Sequence, residues 1–297
     1  MIRYGTHPIA WSNDDDPTLG TADLDRILTE AAEIGFAGIE KGASFPDDPD
    51  ALKEKLGAHK LDLATAPSGL RLLERSADDE LTALKPVIDL LKAMDAKVLV
   101  AYEASNEIAS DDAKPISARP TLAPEDFSSF GLKLEQLATA LADQGLTLAY
   151  QPHMGTVVQT PDEIDRLMLE TGPNLKLCFD SGHVYFGGGD PAQVLTRHLP
   201  RVAHVHFSNI RVRELTRARM DDTSYLGAIR KGVFTVPGDR DGSVDFRTCM
   251  NLLTASGFDG WVVVAAGCNP ERNDPAKDQA LALRTLEALS GNERSAA

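Results

Sequence analysis

Eight polar side chains stand at or just beyond the ends of short apolar runs, where a buried strand would carry branched apolar residues. They are Glu40, Glu103, Gln151, His153, Asp180, His183, His204 and His206. Carboxylates and imidazoles that converge on one concave surface can move protons or ligate a divalent ion. Asp180-Ser-Gly-His183 follows Leu-Lys-Leu-Cys-Phe directly, so the carboxylate closes a strand and the imidazole sits on the tight turn after it. Period-two alternation sends His204 and His206 to one face of their strand. The plainer alternatives are that Asp180 caps the following helix, with His183 a hydrogen-bonded loop residue, and that the histidine pair belongs to a satisfied core network.

The elements that must position these groups are eight runs rich in Val, Ile and Leu, at 3–10, 35–40, 61–65, 97–102, 146–151, 175–180, 201–206 and 261–265. Amphipathic stretches of helical length separate them, among them 21–34, 50–57, 80–94, 127–144 and 161–170. This alternation predicts an α/β fold, a (β/α)8 TIM barrel, as a single domain over 1–297. Thr21 and Thr160 read as helix caps, the latter followed by Pro161 and Glu163. Gly35, Gly145 and Gly257 end helices before strands. Two segments break the alternation, 104–124 and 209–246. Both follow strand C-termini, the mouth of a barrel, and are expected to be lids or substrate-contacting loops. The tail 291–297 is expected to fray.

Composition narrows the function classes. The formal net charge of −15 disfavours nucleic acid and anionic membranes as partners. The sequence offers no membrane span and no leader pattern, which predicts a soluble, cytoplasmic protein. Cys178, Cys249 and Cys268 show no metal-ligand spacing and read as reduced thiols. No nucleophile elbow, Walker loop or Rossmann fingerprint follows a strand, so no nucleotide cofactor is expected, and the run Gly187-Gly-Gly-Asp190 reads as a mobile loop.

Several motifs together resemble the inosose dehydratases, within the xylose isomerase-like TIM-barrel superfamily of sugar isomerases and epimerases. They are Pro8-Ile-Ala-Trp-Ser-Asn-Asp-Asp15, Gly38-Ile-Glu40, His153-Met-Gly-Thr-Val-Val-Gln-Thr160, Phe179-Asp-Ser-Gly-His183, His204-Val-His206, Gly232-Val-Phe-Thr-Val-Pro-Gly-Asp239 and Gly260-Trp-Val-Val-Val264. The resemblance implies a hydro-lyase of inositol catabolism, or an isomerase, acting on a small sugar or cyclic polyol ketone with manganese or cobalt. The proton beside the ketone would be removed, the enediolate stabilised, and the next hydroxyl lost as water. It further implies Asp180 and His206 as metal ligands, with partner ligands at the positions of Gln151 and Ala265. Barrels of this kind often form homo-oligomers, but the sequence identifies no interface.

The sequence departs from the pattern at those partner positions. Gln151 stands where an ionised or imidazole ligand is expected and Ala265 where glutamate is expected, while Ser208-Asn209 replaces a Lys-Asp pair and Ala66-Pro-Ser-Gly69 replaces a Trp-containing segment. Three readings stay open. The chain has changed reaction while keeping a keto-polyol pocket, or it remains an inosose dehydratase with a relocated or weak metal, or it is a non-catalytic sugar-binding paralogue. The candidate catalytic residues are His206, Asp180, His183, His153 and Glu40. The candidate substrate contacts are Trp11, Asn13, Glu103, Gln151, His204, Asn209 and Arg211.

Overall fold

A computed structural model describes residues 1–14, 16, 18–20, 22–267, 269–270 and 272–291. Thr21, Cys268 and the tail from 292 lie outside them. The strands are β1 (Ile2–Thr6), β2 (Gly38–Ile39), β3 (Asp62–Leu63), β4 (Ser68–Leu70), β5 (Val98–Glu103), β6 (Thr147–Tyr150), β7 (Lys176–Asp180), β8 (Val202–Phe207), β9 (Asn209–Ile210), β10 (Phe234–Thr235) and β11 (Gly260–Val264). Nine of them form one parallel curled sheet in the order β3-β2-β1-β11-β8-β7-β6-β5-β4, with β9 and β10 as a separate antiparallel pair. This is a TIM barrel whose eight staves coincide with the eight apolar runs.

The third stave is split. β3 pairs with β2 and β4 pairs with β5. Between them the Thr65 hydroxyl donates to the Val98 carbonyl at 2.8 Å and accepts from the Val100 N–H at 3.2 Å, so a side chain replaces the missing ladder. The first stave is shorter than the sequence suggests. It ends at Thr6, and Pro8–Ala10 forms a short 3-10 turn because proline fixes its own φ and has no N–H to pair. The expected helix at 80–94 is two helices, Ala77–Ala83 and Lys85–Ala93, since Pro86 cannot donate to the preceding turn. Asp23 caps the first helix, Leu24–Ile34, and Thr160 with Glu163 forms a complete capping box. Gly35 ends its helix at φ 102°, a left-handed conformation that Gly145 and Gly257 repeat.

Strand alternation sorts side chains between the lumen and the helices. Leu99, Leu148, Leu177, Phe179, Val205 and Phe207 face the helices in the main core, whereas Val100, Ala149 and Cys178 form a small internal layer. The next inward residues toward the strand C-termini are Tyr102, Gln151 and Asp180, with His206 following His204 on β8. Small side chains in the layer below leave room for these polar ones.

The two long insertions hold each other. Ile116 N–H donates to the Thr223 carbonyl at 2.9 Å, Ser117 binds Asp222 through its N–H and hydroxyl, and Arg230 pairs with Asp16 at 2.6 Å and Asp112 at 2.5 Å. The second insertion carries helices Val212–Met220 and Tyr225–Arg230, and Tyr225, Phe234 and Phe186 pack in an apolar cluster separate from the main core. No helix among the described residues is long and apolar enough to cross a membrane.

Thr65→Val keeps the volume at the split stave but removes both bridging hydrogen bonds. It is expected to cost about 1–3 kcal/mol, the penalty for buried backbone groups left unpaired. Urea unfolding checks this, and an unchanged midpoint would mean that the split stave does not need the bridge.

Candidate active site

A cavity of about 580 Å³ opens at the C-terminal ends of the strands. His7, Asp14, Lys41, Asp47, Gln151, His153, Asp180, His183 and His206 supply its polar lining, and Tyr102, Tyr225 and Phe234 its aromatic wall. Such a volume suits a small ligand, and this is the end of a barrel where the connecting loops build sites.

Beneath the floor lies Glu40, fully buried at the end of β2. Its Oε1 accepts from His204 Nε2 at 2.7 Å and from His206 Nε2 at 2.9 Å, and His7 Nε2 lies 3.7 Å from Oε2. Burial alone would raise its pKa. The imidazoles of His206 and His204 outweigh burial and hold the carboxylate well below its ordinary range, so Glu40 is ionised. His204 is driven the other way, since burial outweighs its bond to Glu40 and keeps the ring neutral.

Asp180 is the second fixed charge. Its Oδ1 accepts from the N–H groups of Gly182 and His183, each at 3.0 Å, and from the Ser208 hydroxyl at 3.1 Å. It therefore caps the helix Ser181–Phe186, the plainer of the two readings, and also lines the cavity. Its Oδ2 meets Gln151 Nε2 at 3.1 Å, His206 Nδ1 at 3.5 Å and His183 Nε2 at 3.8 Å. Burial opposes its charge, but His183, His206 and the backbone donors hold the carboxyl well below its usual value.

The imidazoles divide by environment. Burial pushes His183 down to about 3, so the ring is neutral; Nδ1 accepts from Met154 N–H at 3.1 Å, which leaves Nε2–H toward Asp180. His206 goes up. Burial works against its charge, but Cys178, Glu40 and Asp180 around it outweigh that and raise it well above the ordinary imidazole value. His153 donates from Nδ1 to the Met154 carbonyl at 2.9 Å, leaving Nε2 as an acceptor. Its ring stacks between Tyr102 and His183, with centroids 5.0 and 4.1 Å away.

The sequence model of the xylose isomerase-like TIM barrel matches residues 28–286. The chain belongs to that family. It is 41% identical over 92% of its length to the rhizopine catabolism protein MocC of Rhizobium meliloti, 84% of which is covered. It is 36% identical to the inosose dehydratase of Geobacillus thermodenitrificans, with 92% of each chain covered. Among solved structures, the probable 3-DHS dehydratase AsbF from Bacillus anthracis superposes with a TM-score of 0.69 at 16% identity, covering 99% of this chain and 100% of that one. An L-ribulose 3-epimerase gives 0.68 at 15%, covering 98% and 95%. These two likenesses concern the fold alone. The closeness of the sequence relatives over nearly the full length makes this member of the family an enzyme, a lyase or an isomerase.

Against this family frame, Glu40, Gln151, His153, Asp180, His183, His204 and His206 do gather at one end of the barrel, with Glu40 and His204 below the cavity wall. The other expected contacts do not line it. Inward parity on β5 belongs to Val100 and Tyr102, so Glu103 faces away and accepts from the N–H groups of Leu72 and Ser105 at 2.9 Å. Trp11 is turned behind β1 by the 3-10 turn and donates to Glu30 at 2.6 Å. Asn13 caps a turn through the Asp16 N–H. Asn209 accepts from Ile210 and Val244 N–H, and Arg211 bonds the Gly232 carbonyl, Thr235 and Asp239, so both brace the second insertion. Sequence reasoning missed His7, Lys41, Tyr102, Tyr225 and Phe234. His7 and Tyr102 share the inward parity of their strands, and Lys41 follows Glu40 directly.

The residues at the family's metal position do not fit a tightly held ion. Ala265 lines the cavity but has no donor atom, and Gln151 offers only a neutral amide. Among the described residues, Glu40, His204 and His206 bring three donor atoms within 4.8 Å of one another and can hold a metal. Glu40 and His204 lie below the cavity floor while His206 reaches its lining, and both rings already direct Nε2 at one carboxylate oxygen.

Glu40→Ala would strand the imidazoles around an uncompensated space, and removal of one partner of a buried ionic cluster costs about 3–5 kcal/mol. Glu40→Gln keeps the volume and one acceptor and is expected to cost less. Urea midpoints of the two variants decide it. Equal losses would mean that the negative charge, and neither the volume nor the retained acceptor, is what the cluster requires.

Proposed function

We propose that this enzyme is a hydro-lyase of inositol catabolism that removes water from a keto-inositol or a closely related cyclic polyol ketone. The observation that carries the reading is one cavity that combines an imidazole with an open acceptor, a proton-bearing imidazole and an ammonium group, in a chain whose relatives include inosose dehydratases.

His153 Nε2 takes the proton from the carbon beside the ketone, and the C–H electron pair forms the enediolate. Lys41 is the one lysine or arginine among the described residues lining the cavity, and its ammonium balances the negative oxygen. Its partner Asp47, 2.9 Å away, is 97% exposed at the side chain, a weak tether that lets the ammonium turn inward. His206 carries a proton between Glu40 and Asp180 and passes it to the departing hydroxyl. The C–O bond breaks, a C=C bond forms, and water leaves. His183 Nε2–H and the Gln151 amide bind substrate hydroxyls, and the aromatic wall covers the ring. Glu40, with His204, orients His206.

No step is assigned to manganese or cobalt, because Gln151 and Ala265 provide no anionic ligand. The net charge of −15 supports a small-molecule partner over nucleic acid. The same proposal has the chain act as one cytoplasmic domain over 1–297.

The test is incubation of the purified protein with 2-keto-myo-inositol, followed by mass spectrometry. Loss of one water is expected; an isomer of unchanged mass, or binding without conversion, would overturn dehydration. His153→Phe keeps a ring in the stack and is expected to lower kcat by about 100-fold or more, the usual worth of a positioned base. Lys41→Met is expected to lower kcat more than it raises KM. Full activity in either variant would remove that residue from the scheme.

A further inference from the structure

The two carboxylates at the floor, Glu40 and Asp180, stand on either side of His206 and are both ionised. What joins Asp180 to His206 is the Gln151 side chain. Its Nε2 lies 3.1 Å from Asp180 Oδ2 and 3.1 Å from His206 Nδ1, and those two atoms are themselves 3.5 Å apart. The amide occupies this gap whichever way it is turned. In either orientation the atom it presents is neutral.

A divalent ion that joined Asp180 to His206 would have to enter from the cavity into this same gap and displace the amide. It would gain one anionic oxygen, since Asp180 Oδ1 is already committed to Gly182, His183 and Ser208. The remaining wall beside His206 belongs to β11. Val263 is in register with His206, and Ala265 comes two residues later on the same inward face, lining the cavity with a methyl group.

We propose that the Gln151 amide is an internal substitute for a divalent cation: it fills the gap between Asp180 and His206, within hydrogen-bond distance of both, and together with the apolar Ala265 it keeps metal out of the cavity floor. Hard divalent ions need several oxygen donors carrying charge, and this floor offers one carboxylate oxygen and one imidazole nitrogen. The positions that decide the matter are 151 and 265. The inference concerns ion binding and does not depend on which ketone is turned over.

The experiment is calorimetric titration of the chelator-stripped full chain with manganese chloride, alongside Asp180→Asn and the double variant Gln151→Glu/Ala265→Glu. The intact chain is expected to show no binding that depends on Asp180. The double variant, which adds two carboxylates at the gap, is expected to bind manganese at least about 10-fold more tightly, on the scale that ligand-shell changes usually produce. Its melting temperature, depressed in chelator by the crowded carboxylates, should rise with manganese by more than that of the intact chain. Manganese binding to the intact chain that falls about 10-fold or more in Asp180→Asn would overturn the proposal. So would a double variant with native circular dichroism that fails to gain binding. Binding that survives Asp180→Asn supports it, because the ion would then sit elsewhere, as at Glu40, His204 and His206. Ion binding is read whether or not keto-inositol is converted, so failure here and failure of the dehydratase reading are separate results.

Discussion

A carboxylate buried without compensation is among the most costly groups a protein can contain, and this barrel places one at its centre. Glu40 is tolerable only because β8 sends two imidazoles to the same oxygen and the chain after β1 brings a third to within 3.7 Å of the other. These requirements fix the geometry around it. β2 must end where it does, β8 must keep the parity that turns His204 and His206 inward, and β1 must stop at Thr6 so that His7 reaches the mouth. A shift of one residue in any of these strands would turn the partners toward the helices and leave the charge alone.

From that anchor the chemistry of the cavity follows. Glu40 fixes one edge of His206 and thereby presents the other edge to Asp180 and Gln151. Asp180 is immobilised in turn by the helix it caps and by Ser208. Three histidines at one site are thus given three states by their surroundings: His183 neutral by burial, His206 proton-bearing between two carboxylates, and His153 held through one nitrogen with the other left to accept. Separating such groups by environment is how one pocket can hold both an acid and a base at neutral pH.

Much of this was legible in the sequence because a barrel strand has a period of two and a definite end. The eight staves, and the gathering of Asp180, His183, His206, Gln151 and His153, follow from polar residues that interrupt apolar runs. Where the reading failed, local geometry had intervened. Glu103 has the right residue type but the wrong parity. Trp11 and Asn13 lie past a proline-induced turn that removes them from the strand line. Asn209 and Arg211 begin an insertion whose own packing absorbs their hydrogen bonds. Lys41, Tyr225 and Phe234 were missed because they lie beyond strand ends, where position depends on loop closure and not on periodicity. The split of the third stave, bridged by the Thr65 hydroxyl, has no pattern signature at all.

The site depends most on the hydrogen-bonded state of the Glu40 cluster, and nitrogen NMR of histidine-labelled protein reads it directly. His204 and His206 are both expected to carry a proton on Nε2 at neutral pH, with His204 neutral, and both Nε2 signals should move when Glu40 is replaced by Gln. A deprotonated Nε2 on either ring, or signals indifferent to the Glu40→Gln change, would mean that Glu40 is not the acceptor that organises the site.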